Sequence, residues 1–170
     1  MGMRAATRNA AGVFLRIARR AAPFLFTALA ACAAGAAATE LHFGRAEVTI
    51  LTASGRYPFH VEVAKTPAQM ERGLMFRRYL APDAGMLFAY PAPTLARFWM
   101  HNTLIPLDML FVDGKGRIVT IAARARPLSD RIITAAAPVR AVIELNGGTA
   151  ARLGIKPGDR VLGAVFGGPH

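Results

Sequence analysis

The sequence predicts a mainly β domain, α+β at the margin, folded as a compact antiparallel β-sandwich or small barrel with two short capping helices. Three observations lead there. Apolar and polar residues alternate from Tyr57 to Ala64, short strand-like runs recur behind turn signals as far as Phe166, and only two short segments carry helix signals. Many short strands at regular spacing are the pattern of sandwiches and barrels.

From Tyr57 to Ala64, Phe59, Val61 and Val63 fall on one face and His60 and Glu62 on the other, which reads as a half-buried strand. Thr66-Pro67-Ala68-Gln69 then starts a helix, with Thr66 as N-cap, Pro67 at the first helical position and Gln69 placed to close a capping box. Gly73 ends it after less than two turns. Strands are expected at Met86 to Tyr90, Arg97 to His101 and Met109 to Val112. The last is joined through Asp113-Gly114-Lys115-Gly116, a turn that tolerates positive φ, to a strand from Arg117 to Ala122. Val139 to Leu145 and Arg160 to Phe166 are two more, separated by a short helix near Thr149 to Leu153 and the turn Lys156-Pro157-Gly158-Asp159. No linker or repeat divides residues 40–170, which are read as a single β-rich domain.

Residues 1–38 read as a signal peptide. Arg4, Arg8, Arg16, Arg19 and Arg20 precede an apolar run from Ala21 to Ala31 broken only by Thr27. That run is shorter than the roughly 20 residues a membrane-spanning helix needs, so a removed leader fits better than a permanent anchor. Two cleavage routes stay open. Leu29-Ala30-Ala31-Cys32 reads as a lipobox that would make Cys32 a lipidated first residue, while Ala36-Ala37-Ala38 suits ordinary cleavage. The expected localisation is therefore export, to a bacterial periplasm, with or without a lipid anchor to the envelope.

Cys32 is the only cysteine, so the domain has no internal disulfide and must be stabilised by packing. About 130 residues suffice for that, hiding roughly two thirds of their unfolded surface. The net charge of +11 falls to +6 without the five leader arginines, and the remaining charges are scattered. A nucleic-acid binder would cluster them on one face with interleaved aromatics, so no nucleic-acid partner is expected.

Three strings are distinctive: Arg72-Gly73-Leu74-Met75-Phe76-Arg77, Gly85-Met86-Leu87-Phe88, and Phe98-Trp99-Met100-His101-Asn102-Thr103 running into Ile105-Pro106-Leu107-Asp108-Met109-Leu110-Phe111. In this order, and with Val142 to Gly148 and Gly154 to Asp159 behind them, they resemble domain of unknown function 192, also called uncharacterised protein family 0127. The resemblance spans about Val48 to Val165 and implies a compact, mostly β domain, often exported, with no agreed activity. His101 stands where that family usually has Lys, which puts in doubt any mechanism needing an amine there.

Alternation sets Phe98 and Met100 on one face and Arg97, Trp99 and His101 on the other. Trp99 is either a core residue, since large aromatics dominate cores, or an aromatic wall beside cationic groups, suited to a saccharide or small anion. Asn102, Thr103 and Asp108 flank a turn. There they either bond nearby backbone or form a site in which Asp108 faces His101. Glu144 lies in the apolar run Ala141 to Leu145; if buried, it needs a partner such as Arg77 or Arg97, or a raised pKa.

The leading expectation is a non-catalytic envelope module that binds a small polar ligand or an envelope component, with Arg77, Arg97, Trp99, His101, Asn102, Thr103, Asp108 and Glu144 as ligand-binding candidates. One alternative is an envelope hydrolase using His101 with Asp108 or Glu144. A second is a periplasmic Cu(I)-binding protein using His101 and the five methionines between Met70 and Met109, and a third is a purely structural partner protein. No phosphate loop, zinc-protease motif or nucleophile elbow is present, so no resident metal or cofactor is expected, and membrane contact only through the leader or an anchor at Cys32.

Overall fold

The structure, a computed structural model, describes residues 41–167. The leader, its cleavage sites and Cys32 lie outside the described residues. The strands are β1 (Gly44–Thr52), β2 (Gly55–Ala64), β3 (Ala84–Thr94), β4 (Arg97–Phe98), β5 (Leu107–Val112), β6 (Ile118–Ala125), β7 (Ile133–Thr134), β8 (Val139–Asn146) and β9 (Arg160–Leu162). Two short helices, α1 (Pro67–Arg72) and α2 (Thr149–Leu153), and a 3₁₀ turn at Ala164–Phe166 complete the elements. The domain is mainly β, as the sequence predicts, and no described helix is long and apolar enough to cross a membrane.

Seven strands form one curled sheet, a half-barrel, in the order β6-β5-β8-β3-β2-β1-β9, and β4 pairs with β7 as a separate ribbon. The edges of the half-barrel are stitched at one end by the bridge Arg117–Arg160. Val161 N–H to Gly116 O at 2.7 Å and Ile118 N–H to Asp159 O at 2.9 Å complete that seam. One pair departs from the antiparallel expectation. β2 and β3 run parallel, because α1 lies in the connection between them and returns the chain to the end from which β2 set out.

α1 begins as its sequence dictates: Gln69 N–H donates to Thr66 Oγ1 and Thr66 N–H to Gln69 Oε1, the reciprocal capping box. The Asp113 carboxylate organises the β5–β6 turn by accepting from Lys115 and Arg117 N–H, both at 2.8 Å. Two strands end earlier than expected. The strand at Arg97 stops at Phe98, because the chain turns at Asn102, and β9 ends at Leu162 before the 3₁₀ turn.

The sheet is buried on both faces along β5, where all six residues are inaccessible, and through most of β8. An inner core inside the curl takes Val48, Ile50, Phe59, Val61, Leu87, Leu110, Ile143 and Val161. An outer core takes Met86, Phe88, Met109, Phe111 and Val142 from the sheet, covered by Leu74, Leu80, Ala96 and Met100 from the long connections. That covering layer carries the Trp99 segment.

Candidate functional site

Residues 96–103 are anchored by their inward side chains. Phe98 packs edge-to-face on Phe88, with ring centroids 4.9 Å apart, and on Phe111 at 6.0 Å, while Met100 is buried in the outer core. With those two facing in, alternation turns Arg97, Trp99 and His101 outward. Trp99 is therefore an exposed wall, 45% accessible, and not the core residue that its size favours. Its ring lies 5.1 Å from that of His101, and His101 Nδ1 meets Asp130 Oδ1 at 2.7 Å.

The turn that follows is held from three sides. Asn102 adopts a left-handed backbone (φ 52°), as do Phe76 (φ 65°) and Leu128 (φ 59°). Phe76 N–H donates to Asn102 O at 2.8 Å, Leu128 N–H to Thr103 O at 3.1 Å, and Met100 N–H to Ser129 O at 2.9 Å. Thr103 is buried and its hydroxyl donates to His101 O. Of the four non-glycine residues with positive φ among those described, three thus converge on one turn. Side chains in that conformation cost about 1–2 kcal/mol each, and such strain persists where the surroundings over-determine it, commonly at functional sites. Phe76 and Leu128 leave their side chains exposed beside the turn, and the Arg72 guanidinium sits 4.6 Å over the Phe76 ring.

Other candidates are placed elsewhere. Asp108 does not face His101. It is wholly buried, its Oδ1 accepting from Arg124 N–H (2.7 Å) and Gly148 N–H (2.9 Å) and its Oδ2 from Ala150 N–H (2.7 Å). It is the polar pin that holds α2 to the sheet, and the carboxylate beside His101 is that of Asp130. Arg77 does not pair with Glu144 either. It forms an ion pair with Glu62 at the edge of a cavity of about 440 Å³ that His60 and Arg45 also line. Glu144, in register between Met86 of β3 and Met109 of β5, is buried with no ion pair among the described residues. Burial pushes its pKa from an ordinary 4.5 up to about 8. Tyr90 is pushed up to about 12 by burial first and by the Glu144 carboxylate second. Met86, Met100 and Met109 fill the outer core, the usual work of methionine, and no described group of three or more His, Cys, Asp or Glu is arranged to hold a metal ion.

Sequence reasoning missed Asp130, Phe76 and Leu128. The polar run Arg126 to Arg131, with Pro127 inside it, was the available signal. It also missed a cavity of about 560 Å³ lined by Arg78, Tyr79, Arg124 and Arg152 over the backbone of Gly147 and Gly148.

Two solved structures are similar over most of the domain. One is a Sinorhizobium meliloti 1021 protein described as a "putative transcription regulator", 47% identical over 74% of this chain and 98% of its own, with a TM-score of 0.72. The other is a protein of unknown function from Novosphingobium aromaticivorans DSM 12444, 49% identical over 69% of this chain and 84% of its own, with a TM-score of 0.68. Among curated proteins, nothing matches the chain. The family model for DUF192, described as Uncharacterized ACR, matches residues 49–163. The chain, whose described domain is a half-barrel carrying the pinned turn at Asn102, therefore belongs to the DUF192 family.

Proposed function

We propose that the domain is an exported, non-catalytic module that binds a sugar-bearing component of the bacterial cell envelope on the surface formed by Trp99, His101 and Asp130. The observation that carries this reading is the exposure of Trp99 on a segment whose turn is strained and pinned from three sides. An indole offers an apolar face with a polar edge, which suits the apolar face of a sugar ring. His101, Asp130 and Asn102 supply hydrogen-bonding groups beside it. Asp108 spends both oxygens on backbone N–H groups, and this favours binding over acid-base chemistry shared with His101. Export rests on the arginine-rich leader and its apolar run.

Trp99 is the only tryptophan in the chain, so its fluorescence reports this site alone. Titration of the purified protein with soluble peptidoglycan fragments should shift the emission saturably, and Trp99→Ala should abolish retention on insoluble peptidoglycan while remaining folded. Unchanged emission together with equal retention of wild type and variant would overturn the reading. Fractionation of cells should place the protein in the envelope, and Cys32→Ser should release it to the soluble periplasm if the lipobox is used.

A further inference from the structure

The arginine-lined cavity is separate from the Trp99 surface and is built with comparable care. Its floor is the backbone of Gly147 and Gly148. Gly147 N–H donates to Pro106 O at 2.8 Å, and a Cβ there would stand 2.9 Å from the Pro106 side chain. Gly148 has φ +95°, and a Cβ on it would meet Arg124 Nε at 3.2 Å. The floor is bare because Pro106 crowds Gly147 and the Arg124 side chain lies over Gly148.

Arg124 is itself left-handed (φ 48°). What holds it there is Asp108, whose Oδ1 takes the N–H of Arg124 and of Gly148 together. The opposite wall is pinned in a similar way: the Asn146 amide donates to Leu80 O at 3.0 Å and Ala81 O at 2.9 Å, fixing the loop that carries Arg78 and Tyr79. Arg152 closes the third side from the last turn of α2.

The charge balance is one-sided. No Asp or Glu lines the cavity, and none of Arg78, Arg124 and Arg152 is ion-paired with a described residue. The buried Asp108 below the floor offsets one guanidinium and leaves two in excess. Planar guanidinium groups match phosphoryl oxygens in paired hydrogen bonds. A volume of about 560 Å³ is that of a small-molecule site and exceeds the need of an inorganic ion. Tyr79, 74% exposed at the rim, offers a flat face to whatever the phosphoryl group is attached to. We propose that this cavity binds a phosphoryl-bearing small molecule or headgroup, gripped by Arg78, Arg124 and Arg152 over the Gly147-Gly148 floor.

The test is calorimetric titration of the purified protein with glucose 6-phosphate and with glucose, alongside sedimentation with phosphatidylcholine vesicles made with and without phosphatidylglycerol. Arg78→Ala and Arg152→Ala remove exposed side chains and leave the Asp108 pin intact; Arg56→Ala, on the β1–β2 hairpin and outside the cavity lining, is the control. Binding of the sugar phosphate but not the sugar identifies a soluble ester, and co-sedimentation that requires phosphatidylglycerol identifies a lipid headgroup. In either case Arg78→Ala and Arg152→Ala should each weaken binding about tenfold, the loss of one charge-assisted contact, and Arg56→Ala should not. Absence of binding to both probes, undiminished binding in both variants, or an equal loss in Arg56→Ala would overturn the proposal.

Discussion

The Phe76 N–H donates to the Asn102 carbonyl at 2.8 Å, and both residues lie in the left-handed region of backbone space. Two separate loops are thus locked to each other through residues that each resist the conformation they hold. Asn tolerates that conformation better than other L-residues, so its side chain at this position matters less for contact than for permitting the turn. Asn102→Ala should cost about 1 kcal/mol in urea denaturation, while Asn102→Gly should be close to neutral. Equal losses in the two variants would mean that the Asn side chain makes an essential contact of its own.

Asp108 and His101 should differ sharply in how much stability their truncation costs. Asp108→Ala leaves three N–H groups at a buried site without an acceptor, a loss of about 3 kcal/mol or more. Asp108→Asn should recover only part of it, because an amide presents one acceptor oxygen where the carboxylate presents two. His101→Ala, which removes one partner of a pair whose side chains are 47% and 72% accessible, should change stability by less than about 0.5 kcal/mol. Denaturant midpoints of the three variants check the contrast.

Glu144 ties stability to pH in the direction unusual for a carboxylate. Its folded pKa of about 8 stands above its ordinary 4.5, so the folded chain holds the proton more tightly than the unfolded one. The contribution is fully present below pH 4.5 and is lost as pH rises from there to about 8. Glu144→Gln, which keeps the neutral form at every pH, should flatten that decline, so that the variant gains on wild type as the buffer is raised from pH 5 to pH 9. Melting curves across that range read the difference; parallel curves would show Glu144 ionised and compensated in the fold.

Much of the architecture was legible in order along the chain. The capping box at Thr66 and Gln69, the Gly73 stop, the Asp113 turn and α2 all stand where local chemistry puts them, because each is decided by residues within one turn of one another. β1 carries the same signal, Ala46, Val48 and Ile50 alternating with Glu47 and Thr49, and is a strand beyond those expected from the sequence. The parallel β2–β3 pair was not legible, since periodicity is blind to strand direction.

The site was half legible, for a similar reason. Alternation placed Trp99 and His101 together on one face, but which face is buried was decided by Phe98 meeting Phe88 and Phe111, contacts invisible in the local pattern. The partners of His101, Arg77 and Asp108 are Asp130, Glu62 and the Arg124, Gly148 and Ala150 backbone. All lie well outside the segments that named those residues as candidates, so only the folded chain could pair them.

The seam between Arg117 and Arg160 also governs how the domain comes together. Strand β9 pairs with β1 from the opposite end of the described chain, Thr49 facing Leu162, and closing so long a loop costs entropy before any contact repays it. β9 covers the side of β1 that would otherwise stand open to any extended segment that arrives. Three residues near the end of the described chain thus guard one edge of the sheet against pairing with a stranger.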